Sequence, residues 1–301
     1  MQVLRLAARH GRLLLVLGLV AGFALPGLAA ALKPFLPPMV AGLVFISALR
    51  IGARAAVGNL AQARGSLGVV LALQLGVPLA LIGLLAMTGW IGTATGLALV
   101  LAMSAPSISG GPAFTAMLGH DPAPAMRLLI LGTALLPLTV LPVFWLLPAL
   151  GSLSDVALAA LRLTAVIVLA TTAAFTLRRL LFPDPKPETI RALDGLAAIA
   201  LATIVIGLMS AVGPAVHADP MTFLGWLALA FAINFGMQAL AFALKAPVPV
   251  SIIAGNRNIA LFLVALPPEV TDPVLIFIGC YQVPMYLTPV LLGRFYGRSS
   301  P

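Results

Sequence analysis

Residues 251–259 read Ser-Ile-Ile-Ala-Gly-Asn-Arg-Asn-Ile and place a full positive charge inside an otherwise apolar stretch. That stretch, 248–266, is long enough to be a membrane span, and Arg257 falls near its middle. An arginine at the centre of a lipid-facing helix costs about 2.5–3.5 kcal/mol, so we expect it to face protein or water. Arg257 either contacts an anionic substrate, preferably a carboxylate, or is a structural arginine that ties carbonyls of a broken helix.

The neighbours of Arg257 predict that this helix is interrupted. Gly255, Asn256 and Asn258 are poor helix formers. The two asparagines either donate to a substrate or satisfy backbone groups that the interruption frees. A broken helix with a buried cation at mid-membrane is typical of a transporter's binding site.

A second polar interruption lies at 103–115, Met-Ser-Ala-Pro-Ser-Ile-Ser-Gly-Gly-Pro-Ala-Phe-Thr. Its two prolines and the pair Gly110 and Gly111 predict a discontinuity, because proline removes a donor and glycine eases departure from helical geometry. Ser107 and Ser109 supply hydroxyls either to a site or to helix–helix hydrogen bonds. The alternative is a kinked helix that packs tightly through small residues.

The whole chain has the composition of a polytopic membrane protein. Hydrophobic residues make up 61% of its 301 residues and charged residues 8%. A soluble domain of this size does not have enough polar residues to cover that many hydrophobic ones. We expect ten helices, in the apolar runs 12–31, 35–51, 67–88, 90–119, 126–148, 157–181, 191–213, 222–244, 248–266 and 273–293. The run at 90–119 is either one long bent helix or two short ones. The lipid bilayer is therefore the expected surrounding.

The net charge of +9 is distributed unevenly about these spans. Only Lys33 falls in a loop on one side, while Arg162 and Arg257 lie within spans. The other fourteen basic residues fall on the opposite side: Arg5, Arg9, Arg12, Arg50, Arg54, Arg64, Arg127, Arg178, Arg179, Lys186, Arg191, Lys245, Arg294 and Arg298. This asymmetry predicts a multi-pass protein of the cell inner membrane with both termini in the cytoplasm, and no nucleic-acid partner. The N-terminal run is either the first span or a cleaved signal peptide.

Internal similarity predicts a duplication. The spacing Gly-x4-Pro-x4-Pro occurs twice, at Gly132, Pro137 and Pro142 and again at Gly279, Pro284 and Pro289. The offset is 279 − 132 = 147, and it also places Ser104 on Ser251. Five spans separate the copies, and an odd number reverses direction, so we expect inverted repeats over 1–150 and 151–301. The two interruptions would then cross at mid-membrane, with half-helix N-termini directed at the crossing.

These residues resemble the bile acid:sodium symporter family. The resemblance covers most of the chain and is strongest over 106–142 and 255–289, where Gly-Asn-Arg-Asn followed by Ile-Ala-Leu is similar to the family's Gly-Met-Gln-Asn pattern. It implies an all-α fold of ten helices in two inverted five-helix repeats, with broken helices 4 and 9 crossing. It also implies a core of spans 3–5 and 8–10 and a panel of spans 1, 2, 6 and 7.

The sequence departs from this family where the resemblance implies sodium ligands. Those positions hold Gly111 and Pro112, Ala125 and Leu129, Ile253, and Arg257. Sodium prefers several oxygens, and a fixed guanidinium repels it. We therefore hypothesise that Arg257 permanently supplies the charge that bound sodium lends to relatives. No cofactor or metal site is expected, and the single cysteine, Cys280, excludes a cysteine metal cluster.

The function expected from the sequence is secondary transport of a small or amphipathic organic anion by alternating access, without sodium coupling of the family's usual kind. The alternative is a sodium- or proton-coupled organic anion symporter, with Na⁺ or H⁺ as a further partner. An enzyme is not expected, because no span holds paired aspartates, a His-Glu-x-x-His motif or a Ser–His or Ser–Lys pair. The candidate substrate-binding residues are Arg257, Asn256, Asn258, Gly255, Ser107, Ser109, Gly110, Gly111, Asn234, Gln282 and Gln74.

Overall fold

The computed structural model describes residues 1–61 and 64–296. The structure is 84% helical, and the described residues contain no β-strand. Arg298, one of the basic residues predicted on the cytoplasmic side, lies outside the described residues. The all-helical class expected from the sequence is therefore confirmed.

The described part of the first half contains ten α-helices. They are α1 Gln2–Arg9, α2 Gly11–Ala24, α3 Pro26–Leu32, α4 Leu36–Ile51, α5 Ala53–Ala61, α6 Arg64–Leu71, α7 Val77–Met87, α8 Ala94–Ser104, α9 Gly111–Met117 and α10 Ala123–Trp145. Short 3₁₀ turns lie at Lys33–Phe35 and Pro148–Leu150. A π-helical segment, Ala72–Gly76, joins α6 to α7.

The second half contains eight α-helices in its described part. They are α11 Leu153–Leu181, α12 Pro187–Leu208, α13 Val212–Ala218, α14 Pro220–Ala243, α15 Val248–Gly255, α16 Pro268–Thr271, α17 Leu275–Leu291 and α18 Gly293–Tyr296. The segments Ile259–Val264 and Asp272–Val274 are 3₁₀ helices.

Within residues 1–61 and 64–296, seven helical segments are long and apolar enough to cross a membrane: Pro26–Ile51, Arg64–Met87, Ala123–Trp145, Leu153–Leu181, Pro187–Ala218, Pro220–Ala243 and Pro268–Leu291. An eighth is possible if α1 and α2, which meet at 86°, form one bent span. Three of the ten predicted runs do not appear among these seven segments. One is 12–31, which is divided between α2 and the segment that begins at Pro26. The other two are the interrupted runs. The first contains α8 and α9, and the second contains α15 and the 3₁₀ helix Ile259–Val264.

The predicted boundary between the first two runs, at 32–34, is wrong. The chain instead breaks at Leu25 (φ −122°, ψ 69°), and Pro26 begins the next helical segment. The residue before a proline is disfavoured in the helical region, while proline itself is favoured at a helix start, which explains this position. Lys33, predicted in a loop, lies in a 3₁₀ turn near the start of that segment.

The helices pack in two groups that meet along a seam. In the first group α12 packs on α1, α2, α3 and α4, and α11 packs on α4. In the second, α14 packs on α15 and α17, while α10 packs on α6, α9 and α15. The seam forms where α4 lies against the 3₁₀ helix Ile259–Val264 and where α10 packs on α11.

Basic side chains tie the first group together at the C-terminal end of α4. Arg178 of α11 donates from Nη1 to the carbonyl oxygens of Leu49 (2.7 Å) and Arg50 (2.5 Å). Arg50 itself forms an ion pair with Asp194 of α12. A cation at a helix C-terminus satisfies carbonyls that the helix leaves unpaired, so these contacts hold α4, α11 and α12 together.

Candidate functional site at the paired helix breaks

Both predicted interruptions are present, and proline or glycine lies at each. Helix α8 ends at Ser104 because Ala105, which precedes Pro106, is extended (ψ 150°). Helix α15 ends at Gly255, and Asn256 is extended after it (φ −102°, ψ 90°). The chain therefore leaves helical geometry within two apolar stretches, which frees backbone groups that need partners.

The two breaks pair with each other. Ile108 donates its N–H to the Asn256 carbonyl oxygen (3.1 Å), and Asn258 donates to that of Pro106 (2.9 Å). Ser107 and Arg257 lie opposite each other in an antiparallel bridge. The pairing has an offset of 257 − 107 = 150, three residues from the 147 offset of the glycine and proline repeat. Each break thus satisfies backbone groups that the other would leave unpaired.

Arg257 binds carbonyl oxygens from three separate segments. Its Nε donates to Ala254 at the end of α15 (3.1 Å), its Nη1 to Ala105 after α8 (3.1 Å) and its Nη2 to Leu73 in the π-helical segment (3.0 Å). Carbonyls at helix C-termini carry partial negative charge, and a π segment disturbs the regular carbonyl ladder. The guanidinium is therefore solvated by peptide dipoles in place of water.

No carboxylate accompanies this charge. Arg257 is 1% exposed, and it is the one buried charged side chain among the residues that the structure describes. None of the eight Asp and Glu residues belongs to the buried set. A guanidinium has five N–H groups, of which the three carbonyls take three, so two can bind a further acceptor. The site thus carries a net positive charge and has donor capacity left.

A narrow crevice of about 20 Å³ lies beside Arg257. Its polar lining comes from Arg257, Asn258, Ser109 and Gln282, and its apolar lining includes Val40 and Leu43 of α4. A volume of this size holds about one water molecule. An organic anion could therefore enter only after the helices that line the crevice move apart.

A buried polar network lies behind the break in α15. Asn234 Nδ2 donates to the Gly255 carbonyl oxygen (2.6 Å), and Gln238 Nε2 donates to Asn234 Oδ1 (2.7 Å) and Thr288 Oγ1 (3.1 Å). Thr288 in turn donates to Asn256 Oδ1 (3.2 Å). The amide of Asn256 donates to the Ile252 carbonyl oxygen (2.7 Å). Through these hydrogen bonds, side chains of α14 and α17 hold the end of α15 in place.

The predicted site residues thus separate into two sets. Four of them line the crevice, namely Arg257, Asn258, Ser109 and Gln282. The others support the breaks from outside it, namely Asn256, Gly255, Asn234, Ser107, Gly110, Gly111 and Gln74. Among these, Gln74 accepts from Thr139 of α10 (3.2 Å), and Ser107 donates to the Ile108 carbonyl oxygen (3.1 Å). A Cβ at Gly111 would lie 3.0 Å from Ser107 Oγ, so a side chain there would have to displace that hydroxyl by a few tenths of an ångström.

Three of the positions where the family resemblance implies sodium ligands, namely Ala125, Leu129 and Ile253, hold buried apolar side chains. Ala125 and Ile253 belong to one buried cluster together with Val70, Leu128 and Leu131. Leu129 is also buried. In the described part of the chain, no three His, Cys, Asp or Glu side chains come together.

Sequence analysis missed Thr288, Thr139 and the role of Tyr281. The Tyr281 hydroxyl donates to the Gly255 carbonyl oxygen (2.5 Å). Thr139 and Thr288 are hydroxyls in spans that carry few polar groups, and that scarcity is the signal that could have found them. No protein-family model matches the chain, and no curated protein matches it.

Proposed function

We propose that this protein is a secondary transporter that moves a small or amphipathic organic anion across a membrane by alternating access. The observation that carries the proposal is Arg257, a fully buried guanidinium without a carboxylate partner, at the junction of two interrupted helices. A buried charge is costly unless it has a compensating ligand or function. An organic anion supplies the missing charge and accepts from the two remaining N–H groups.

The two paired breaks support a ten-span, inverted-repeat plan. If each of the two interrupted stretches and the bent N-terminal pair crosses the membrane once, they and the seven long helices would make ten crossings. An antiparallel bridge between the breaks is the relation that two inverted repeats over 1–150 and 151–301 would produce. We therefore propose that the protein is a relative of the bile acid:sodium symporter family, and that it would lie in the cell inner membrane with both termini in the cytoplasm.

Alternating access would move the two helix groups relative to each other along the seam. The first group contains α1–α4, α11 and α12, which correspond to the expected panel, and the second contains the two breaks. The ion pair and carbonyl contacts at the end of α4 support movement of the first group as a unit. The crevice at Arg257 lies on the seam, so sliding there would open it.

The first experiment measures anion binding by thermal shift. Purified protein is titrated with a panel of organic acids and with the corresponding alcohols as uncharged controls, because ligand stabilisation follows the logarithm of concentration over Kd. Arg257→Gln should weaken acid binding about 10- to 100-fold, since hydrogen bonds to charged groups contribute about 1.5–3 kcal/mol.

The matched control is Arg162→Gln. Arg162 is also an arginine within an apolar helix, α11, but it is exposed. Binding should be unchanged in this variant and only partly lost in Arg257→Lys, which keeps the charge without the planar fork. Equal binding by the wild type and Arg257→Gln would leave Arg257 with its structural role alone and would contradict the proposal.

The second experiment tests sodium dependence. Arg257 lies where a bound cation would be repelled, so uptake of the bound acid into proteoliposomes should be the same in sodium as in choline buffer. A strict requirement for a sodium gradient would instead favour the sodium-coupled symporter. Uptake that follows an imposed pH gradient in choline would favour proton coupling.

A further inference from the structure

A second cavity, of about 390 Å³, lies further along the seam, at the N-terminal end of α4 and on the side predicted to face outward. Lys33 and Asp272 lie at this cavity, and its apolar walls include Leu36 of α4 together with Leu263 and Leu266. The volume falls within the range of about 300–1,000 Å³ that ligand pockets occupy in proteins. We call it the outer cavity.

The outer cavity contains a solvent-exposed ion pair between Lys33 and Asp272. Lys33 Nζ lies 2.9 Å from Asp272 Oδ2, and the side chains are 41% and 48% exposed. Ion pairs with this exposure contribute little stability, because water and salt screen them. Lys33 is the one Lys or Arg among the described residues that line the cavity. A carboxylate from solution can therefore compete with Asp272 for the Lys33 ammonium.

The outer cavity and the Arg257 crevice follow the same helix face. Leu36, which lines the outer cavity, is followed by Val40 and Leu43, which line the crevice. Residues at this spacing share one side of a helix. On the facing segment, Leu263 lines the outer cavity while Ile259 and Ala260 line the crevice. The two spaces are thus consecutive along one apolar seam that is closed between them.

We propose that the outer cavity is an entry site for an amphipathic monocarboxylate, which then continues to Arg257. The carboxylate takes the place of Asp272 on Lys33, and the apolar body lies against the leucine walls. This inference rests on the proposed transport function and narrows its substrate class. A short, fully polar anion would use only the lysine and would bind far less well.

The test uses protection of a cysteine in the outer cavity. Pro37→Cys adds a thiol to its lining, and Met87→Cys adds one at the same predicted end but outside the lining, at an 87% exposed residue. Both are labelled with a membrane-impermeant maleimide added to one side, while the native Cys280 is buried. The probes are decanoate, acetate, and decyltrimethylammonium, which has the same chain with the opposite charge.

Decanoate should slow labelling of the Pro37→Cys variant about tenfold once its concentration exceeds Kd about tenfold. Labelling of the Met87→Cys variant should not change. Acetate and decyltrimethylammonium should give little protection. Adding Lys33→Gln should abolish the decanoate effect, whereas adding Asp272→Asn should produce it at lower decanoate concentration, because the lysine has lost its internal partner.

Three results would overturn the entry site. They are equal protection by decanoate and decyltrimethylammonium, protection that survives Lys33→Gln, and an Asp272→Asn variant that needs as much decanoate as the wild type. Arg257→Gln, combined with Pro37→Cys, should retain protection because Arg257 does not line this cavity. Failure here is therefore separate from failure of the Arg257 binding test.

Discussion

Gly255, the last residue of the interrupted helix α15, is tightly packed against α14. A Cβ at this position would collide with the Asn234 carbonyl oxygen and lie 2.6 Å from Gln238 Cγ. Gly255→Ala should therefore destabilise the protein by about 1–3 kcal/mol, the usual cost of overpacking. Thermal unfolding in detergent measures the loss.

Gly236 in α14 supplies the control for this substitution. Nothing lies within 4 Å of a Cβ built there, so Gly236→Ala adds only helix propensity. Its melting temperature should stay equal to that of the wild type or rise slightly. If Gly255→Ala is as stable as Gly236→Ala, the polar network behind the break can accommodate a methyl group without loss of stability.

At the scale of single residues, chemistry was easier to predict than contacts. Arg257 stood out because a charge in an apolar run is rare, and the glycines and prolines around it implied a break. Its partners could not be predicted, because Ala105 and Leu73 contribute only backbone carbonyls, which every residue has. The same reason hid the function of Tyr281, whose hydroxyl binds a glycine carbonyl.

At the scale of elements, α14 begins at a carboxylate cap that gives stability a pH dependence. Asp219 accepts from the Thr222 hydroxyl (2.6 Å) and backbone N–H (3.1 Å), and these bonds lower the pKa of its carboxyl below the usual value. A lowered folded-state pKa stabilises the protein above the unfolded-state pKa of about 3.9, and the effect is lost as pH falls through the folded value.

Asp219→Ala should therefore melt below the wild type at pH 5–7, with a gap that closes as pH falls below about 4. Asp219→Asn keeps a capping oxygen that does not titrate. Comparing its melting temperature with those of the wild type and Asp219→Ala separates the stability due to the capping hydrogen bonds from the stability due to the charge. Unfolding is followed by intrinsic fluorescence across this pH range. A gap that stays constant down to pH 3 would show that ionisation of Asp219 does not matter.

The sequence predicted helices correctly where an apolar run was uninterrupted, and it misplaced a helix boundary where a single proline was the only signal. Long apolar runs gave helices such as α10 and α14, and paired small residues marked the breaks. The boundary at Pro26 was missed because Lys33, a charge, was a stronger signal than a single proline. The 3₁₀ geometry of Ile259–Val264 has no sequence signature, since its residues suit an α-helix equally well.

At the scale of the whole molecule, the two predicted halves depend on each other. Helix α12 packs on α1–α4, and Arg257 of the second half binds carbonyls of Ala105 and Leu73 in the first. Taking the partners from a buried charge costs about 3–5 kcal/mol. The second half should therefore fail to accumulate when it is expressed alone.

A chain divided between Leu150 and Gly151 tests this dependence. The two pieces, expressed together with an affinity tag on one, should co-purify from the membrane, while residues 151–301 alone should be degraded. Arg257→Gln in the lone second piece should raise its recovery, because the charge that lacks partners is gone. Stable accumulation of the unmodified second piece would contradict the dependence.

Arg257 is synthesised 257 − 105 = 152 residues after Ala105, one of the carbonyls that it satisfies. At about 5–20 residues per second, the ribosome needs roughly 8–30 s to bridge that gap. Throughout this interval the Ala105 carbonyl oxygen at the end of α8 lies in the bilayer without the Arg257 guanidinium that binds it in the complete chain. The insertion machinery must therefore shelter or hydrate that end until Arg257 has been made.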